Sequence, residues 1–340
     1  MMTVPQGAAV SIGAVLGTGV IALPALAART AGPASLVAWL VLILISVPLA
    51  TTFARLGARY PDSGGVSTYV RNAFGARAAT VVGWCFYFAV PVGAPAAAMF
   101  GGAYVAAAFG GGMRTTIGSA ALMILVVSVC NAGGLRVSGR VQLGLAGLLV
   151  TLLLVATITA LPHAHLGNLR PFAPHGWTAI GPAAALLVWG FAGWEAVTSL
   201  AGDFRHPRRD VPRATRIALV VVGVLYLAIA ATSLLVLGPA TGRSEAPLAD
   251  LLAIGVGGPV RKITAIVAVL LTVGAMNAYF AGGAKLGAAL GRDGALPAWF
   301  GRGSSAGEVP RRSLAVVCAL AGAALVAVAA TGGMPGGRPC

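Results

Sequence analysis

Long apolar stretches recur from one end of the chain to the other. They cover residues 7–28, 34–54, 78–109, 115–133, 141–161, 177–201, 217–237, 263–290 and 314–331. Each is close to or above the roughly 20 residues that carry a helix across the hydrocarbon of a bilayer. Only 9% of the 340 residues are charged and 58% are hydrophobic, with a mean hydropathy of +0.90. A water-soluble chain of this composition could not cover its surface with polar groups. The sequence therefore reads as an all-α polytopic membrane protein with about nine transmembrane helices. A membrane barrel would show short segments of alternating polarity, and the sequence has none. The 48 glycines, with abundant alanine, suit helices that approach closely in lipid. The third stretch is too long for one straight crossing. Pro91, Gly93 and Pro95 predict a kink or break within it.

The formal charge is +15, from 23 Lys and Arg against 8 Asp and Glu. In a soluble protein this excess would point to nucleic acid. With the N-terminus inside and the spans alternating, sixteen of the 23 basic residues fall on the inner side, among them Arg55, Arg59, Arg71, Arg136, Arg205, Arg213 and Arg312. Such asymmetry fixes orientation in a membrane. It predicts a plasma-membrane protein with a cytoplasmic N-terminus and no nucleic-acid partner. The basic segment 205–216 reads as an inner loop. Cys85, Cys130, Cys318 and Cys340 form no C-x-x-C pair, so neither a disulfide framework nor a zinc site is indicated. His163 and His165 lack a carboxylate or cysteine companion, so no metal site follows. The first apolar span reads as a helix rather than a removed signal.

Two spans carry glycines where a helix does not favour them. The first contains Gly13, Gly17 and Gly19, followed by Pro24; the sixth reads Trp189-Gly190-Phe191-Ala192-Gly193-Trp194-Glu195. Interior glycine costs a helix about 1 kcal/mol. The two spans cross in opposite directions, and Gly-interrupted helices at matching places in two halves are the mark of an inverted-repeat transporter. Unwound backbone at membrane depth is tolerated where it lines a cavity or is buried in protein. Free N–H groups at a half-helix N-terminus suit a carboxylate, and free carbonyls suit an ammonium. One molecule with both is an amino acid. Gly17-Thr18-Gly19 lacks the preceding strand that a dinucleotide fingerprint needs, so no cofactor is implied. Glu195 is the acidic residue placed well inside a span. A carboxylate there costs about 2.5–3.5 kcal/mol on insertion scales, which marks it as a proton-coupling or gating candidate. The competing role is structural, a carboxylate bonded to freed backbone N–H groups. Ser63 and Ser67 have no His/Asp set, so an enzyme is not indicated.

These motifs resemble the amino acid–polyamine–organocation transporters. Gly17-Thr18-Gly19-Val20-Ile21-Ala22-Leu23-Pro24 is similar to that superfamily's first-helix signature. Phe191-Ala192-Gly193-Trp194-Glu195 resembles its sixth-helix F-x-G-x-E pattern. The stretch from Asp203 to Ala214 resembles the segment that follows, with His206 at a position usually Asn. Pro61-Asp62-Ser63-Gly64-Gly65 with Tyr69, and Gly291-Arg292-Asp293-Gly294-Ala295-Leu296-Pro297, look like its loops after the second and eighth helices. Leu16 to Val20 and Pro91 to Pro95 look most like the bacterial methionine and branched-chain amino-acid exporters.

The resemblance implies two inverted five-helix repeats (LeuT-like), here residues 1–165 and 176–331, the second lacking its last helix. That shortfall leaves room for a second copy of the chain, a homo-oligomer, to complete the bundle. It also implies Thr18 and Gly19, beside Gly17, at a substrate carboxylate, and Phe191, Ala192 and Gly193 around its amino group. Trp189 and Trp194 become gates or pocket walls. The stretch Ala281-Gly282-Gly283-Ala284-Lys285 offers no hydroxyl for sodium, which favours protons. Asn277 and Tyr279 suit helix–helix hydrogen bonds. The expected function is proton-coupled export of neutral apolar amino acids. The alternative is a non-transporting amino-acid sensor or an inactive shortened transporter.

Overall fold

The computed structural model describes residues 2–17, 19–61, 65–133, 139–195, 198–257, 260–301 and 310–332. The first apolar span forms α1 (Val4–Leu16) and α2 (Gly19–Ala31), interrupted between them. Then follow α3 (Ser35–Arg59), α4 (Val66–Phe74), α5 (Ala76–Phe109), α6 (Gly112–Ala132) and α7 (Gly139–Ala160). The second half holds α8 (Ile180–Phe191), a 3-10 segment Thr198–Asp203, α9 (Pro207–Leu237), α10 (Pro247–Val256), α11 (Val260–Arg292) and α12 (Arg311–Gly332). Among the described residues, seven helical stretches are long and apolar enough to cross a membrane, the first of them, Val4–Arg59, 56 residues long. Trp177–Phe191, which includes α8, and Pro247–Val256 are shorter apolar helices.

The all-α inverted-repeat class is visible in the packing. α2 packs on α8, α3 on α9, α5 on α11 and α6 on α12. Four helices of the first half thus meet a helix of the second, while α7 packs on α1 and α10. Two large apolar cores result. One joins α1, α2, α3, α7, α8, α9, α10 and the first part of α11; the other joins α5, α6, the rest of α11 and α12. Glycines bring α5 and α11 together. A Cβ on Gly83 would lie 2.5 Å from Leu290, one on Gly287 2.4 Å from Tyr87, and one on Gly101 2.8 Å from Thr272.

Two expectations need correction. The third span is one continuous helix, α5, through Pro91 and Pro95, so it contains no break. In lipid a further break would strip backbone groups of partners, and packing neighbours let a helix carry proline through. The basic segment 205–216 is not a loop, because α9 begins at Pro207. Proline at the first helical position costs no bond, and the Asp210 carboxylate accepts the His206 N–H at 3.1 Å. Two short helices, α4 and α10, were not foreseen.

The loop after α11 is a clamp. Asp293 pairs with Arg71 of α4, and the Trp84 indole N–H donates to the Ala295 carbonyl at 2.8 Å. Gly294, with φ +76, makes the turn between these two anchors. Both contacts are exposed, so Asp293→Asn and Trp84→Phe should each lower stability by no more than about 1 kcal/mol. Paired thermal unfolding curves in detergent check both.

At the start of α1, Met2 forms a parallel bridge with Phe204. The Phe204 ring covers Gly7 so closely that a Cβ there would lie 2.2 Å from it. Gly7→Ala should therefore destabilise by about 1–3 kcal/mol through overpacking, against its better helix propensity. Adding Phe204→Ala should return part of the loss. Thermal unfolding of the single and double variants measures both effects.

Candidate functional site

The two helix breaks meet near the middle of the bundle. α1 ends at Gly17, whose N–H donates to the Gly13 carbonyl at 3.0 Å. Its ψ of −119° takes the backbone off the helical path. α2 resumes at Gly19. Thr18 lies outside the described residues. α8 ends at Phe191, and Ala192 turns extended, with φ −67° and ψ 141°. Gly193 follows with φ +127°, a conformation that side chains disfavour.

Glycine is what allows the breaks to touch. A Cβ on Gly19 would lie 3.0 Å from the Gly190 Cα, and one on Gly193 2.8 Å from the Ala14 carbonyl oxygen. Gly19 thus meets Gly190, and Gly193 meets the end of α1.

Freed backbone groups at this crossing find side-chain partners. The last four carbonyls of a helix have no N–H of their own. For α1 and α8 these include Ala14, Val15 and Gly190. The Tyr226 hydroxyl, from α9, lies 2.8 Å from the Val15 carbonyl and 2.6 Å from that of Gly190. The Tyr279 hydroxyl, from α11, donates to Ala14 at 3.4 Å. The Glu195 carboxylate accepts the Gly193 N–H at 2.9 Å, while its own carbonyl accepts the Thr198 N–H at 2.9 Å. Glu195 thus closes the turn that follows α8.

The remaining candidates divide. Phe191 is 6% exposed and stacks in a buried trio with Trp39 and Tyr226, with ring centroids 5.0–5.9 Å from Phe191. Trp194 is 2% exposed, and its indole N–H has no hydrogen-bond partner among the described residues. It packs inside the protein and is no interfacial anchor. Ala192 is exposed. Trp189 is 42% exposed, and its ring lies over Gly93 of α5, away from the buried trio. Asn277 receives a hydrogen bond from Asn131 at 2.6 Å, so it joins α11 to α6.

Beside the first break a cavity of about 10 Å³ is lined by Gly13, Gly17, Leu145, Leu149, Leu271 and Ala275. It would hold about one water, so an amino acid requires the helices to part. The part of α11 facing this break is Leu271 to Tyr279, not the 281–285 stretch that the sequence suggested. Lys285 is exposed. Sequence reasoning also missed Trp39 and Tyr226. A hydroxyl in the middle of an apolar span was the available signal, since it must find a partner there.

Facing breaks in opposed helices define a membrane transporter of the inverted-repeat class. A solved structure shares the fold: the Eremococcus coleocola manganese transporter, TM-score 0.50 at 14% identity, covering 97% of this chain and 72% of that one. The amino acid permease family profile matches residues 3–334, and the chain belongs to that family. Among curated relatives, an uncharacterised amino acid permease of Bacillus subtilis, YecA, is 33% identical over 95% of this chain and 76% of its own length. The L-methionine/branched-chain amino acid exporter YjeH of Escherichia coli is 37% identical over 65% of this chain and 53% of its own length. The chain is thus a multi-pass membrane protein of the amino acid transporters.

Proposed function

We propose that this transporter exports neutral apolar amino acids, methionine and the branched-chain residues, across the plasma membrane in exchange for protons. The observation that carries the amino-acid reading is the meeting of two helix breaks. Backbone carbonyls of α1 and α8 converge there, and the N-terminus of α2 begins beside them. Carbonyls suit an ammonium, and free N–H groups suit a carboxylate. In this reading Thr18 and Gly19 hold the carboxylate, Phe191, Ala192 and Gly193 frame the ammonium, and Trp189 is a gate. The apolar class is supported by Phe191, Trp39 and Trp194, which surround the crossing with ring surface. The relation to the Escherichia coli exporter points the same way.

Residues 1–165 and 176–331 would act as the two repeats, with a cytoplasmic N-terminus. The first, second, sixth and seventh spans, formed by α1 with α2, α3, α8 and α9, would rock against the rest of the bundle. Counterflow of labelled methionine, leucine and arginine in proteoliposomes tests the reading. Methionine and leucine should exchange and arginine should not. No exchange of any amino acid overturns it.

A further inference from the structure

Tyr226 is fully buried on α9. Its ring is held between Trp39, with centroids 4.8 Å apart, and Phe191, 5.0 Å apart. That packing aims one hydroxyl at two carbonyls from two different helix ends, Val15 at 2.8 Å and Gly190 at 2.6 Å. A phenol carries one proton, so it serves two strong acceptors with a single donor. The close approach depends on two glycines. A Cβ on Gly19 would lie 3.0 Å from this hydroxyl, and one on Gly190 3.1 Å. The hydroxyl therefore occupies the point where the two breaks present their unpaired carbonyls.

We infer that Tyr226 is an internal competitor for the substrate ammonium. Its hydroxyl holds the two carbonyls that the ammonium takes, and it gives them up when an amino acid binds. The inference rests on the amino-acid reading above. An ammonium brings three donors where the phenol brings one, so the exchange gains hydrogen bonds. A hydroxyl on the same carbon brings one donor and gains none. Tyr226 thus leaves a hydroxy acid with no net gain, and it holds amino-acid affinity low enough for release on the far side.

The test uses the full chain in lipid nanodiscs, with Tyr226→Phe beside the wild type. Equilibrium binding is measured for L-leucine and L-methionine, for 2-hydroxy-4-methylpentanoate, and for 4-methylpentanoate. The Phe variant keeps the ring packing and removes the rival donor. It should bind both amino acids about threefold to tenfold more tightly, the value of one net hydrogen bond. The hydroxy acid should gain similarly, and 4-methylpentanoate should gain nothing. A purely structural tyrosine would shift all ligands alike or none.

Incorporating 3-fluorotyrosine at position 226, a stronger donor of nearly the same shape, should weaken amino-acid binding. This arm decides the matter if the Phe variant does not fold, and unchanged or tighter affinity there overturns the inference. No saturable binding of either amino acid to the wild type overturns the amino-acid reading and this inference with it. Wild-type binding with unchanged or weaker affinity in Tyr226→Phe overturns the competitor role alone.

Discussion

Gly193→Ala is expected to abolish transport and most of the folded yield. Gly193 has φ +127°, where an added side chain meets its own backbone, at about 1–3 kcal/mol. The same Cβ would lie 2.8 Å from the Ala14 carbonyl oxygen and 2.9 Å from its carbon. Backbone atoms cannot turn aside as a side chain does, so overpacking adds about 1–3 kcal/mol. Together, at about 2–6 kcal/mol, these remove a large fraction of the stability of an ordinary domain. Gly190→Ala should be milder. Its Cβ would meet the Leu23 Cδ1 at 2.3 Å, the end of a flexible side chain that can rotate. Gly118 in α6 has nothing within 4 Å of a built Cβ, so Gly118→Ala should fold at least as well as the parent. Size-exclusion profiles of the three variants, followed by counterflow, order the effects. Gly193→Ala folding and transporting like Gly118→Ala would remove the central role given to the second break.

Glu195→Gln is expected to separate binding from coupling. The glutamine amide keeps an oxygen to accept the Gly193 N–H that the carboxylate now holds at 2.9 Å. The turn should therefore survive, and exchange without a gradient should stay within a few-fold of the parent. What the amide cannot do is take up and release a proton. In the coupled reading, exchange should lose its dependence on pH, and an imposed proton gradient should no longer drive accumulation. Glu195→Ala should fail differently. It strands a buried N–H at about 1–3 kcal/mol and should lower yield and exchange together. Full pH-dependent exchange by Glu195→Gln would dismiss the carboxylate as the proton carrier and leave it the turn-closing role seen in the structure.

The crossings were legible because a bilayer leaves a chain little choice. Backbone groups at depth must be satisfied internally, so most apolar runs became helices near their expected ends, whereas 7–28 split into α1 and α2, α8 stopped at Phe191 and α9 began at Pro207. The breaks were legible because glycine clusters have few other uses in such runs. What the runs could not show was who answers the freed carbonyls. Tyr226 is 211 residues from Val15 and 36 from Gly190, and no local pattern links them. The prolines of α5 misled for a related reason. Their cost is set by neighbours such as α11, which periodicity along α5 does not reveal. Trp189 and Trp194 read alike in sequence, yet Trp194 is buried and Trp189 ends exposed over Gly93.

The glycine seam between α5 and α11 has a consequence in time. Roughly 150 residues of chain separate the end of α5 from the start of α11. At about 5–20 residues per second, a ribosome needs on the order of 10–30 s to make them. During that interval the notched face of α5 is open to lipid or to whatever escorts a nascent membrane protein. The helix most closely matched to it emerges only after α6 to α10. Both large cores take residues of α11, so neither closes before that helix is made.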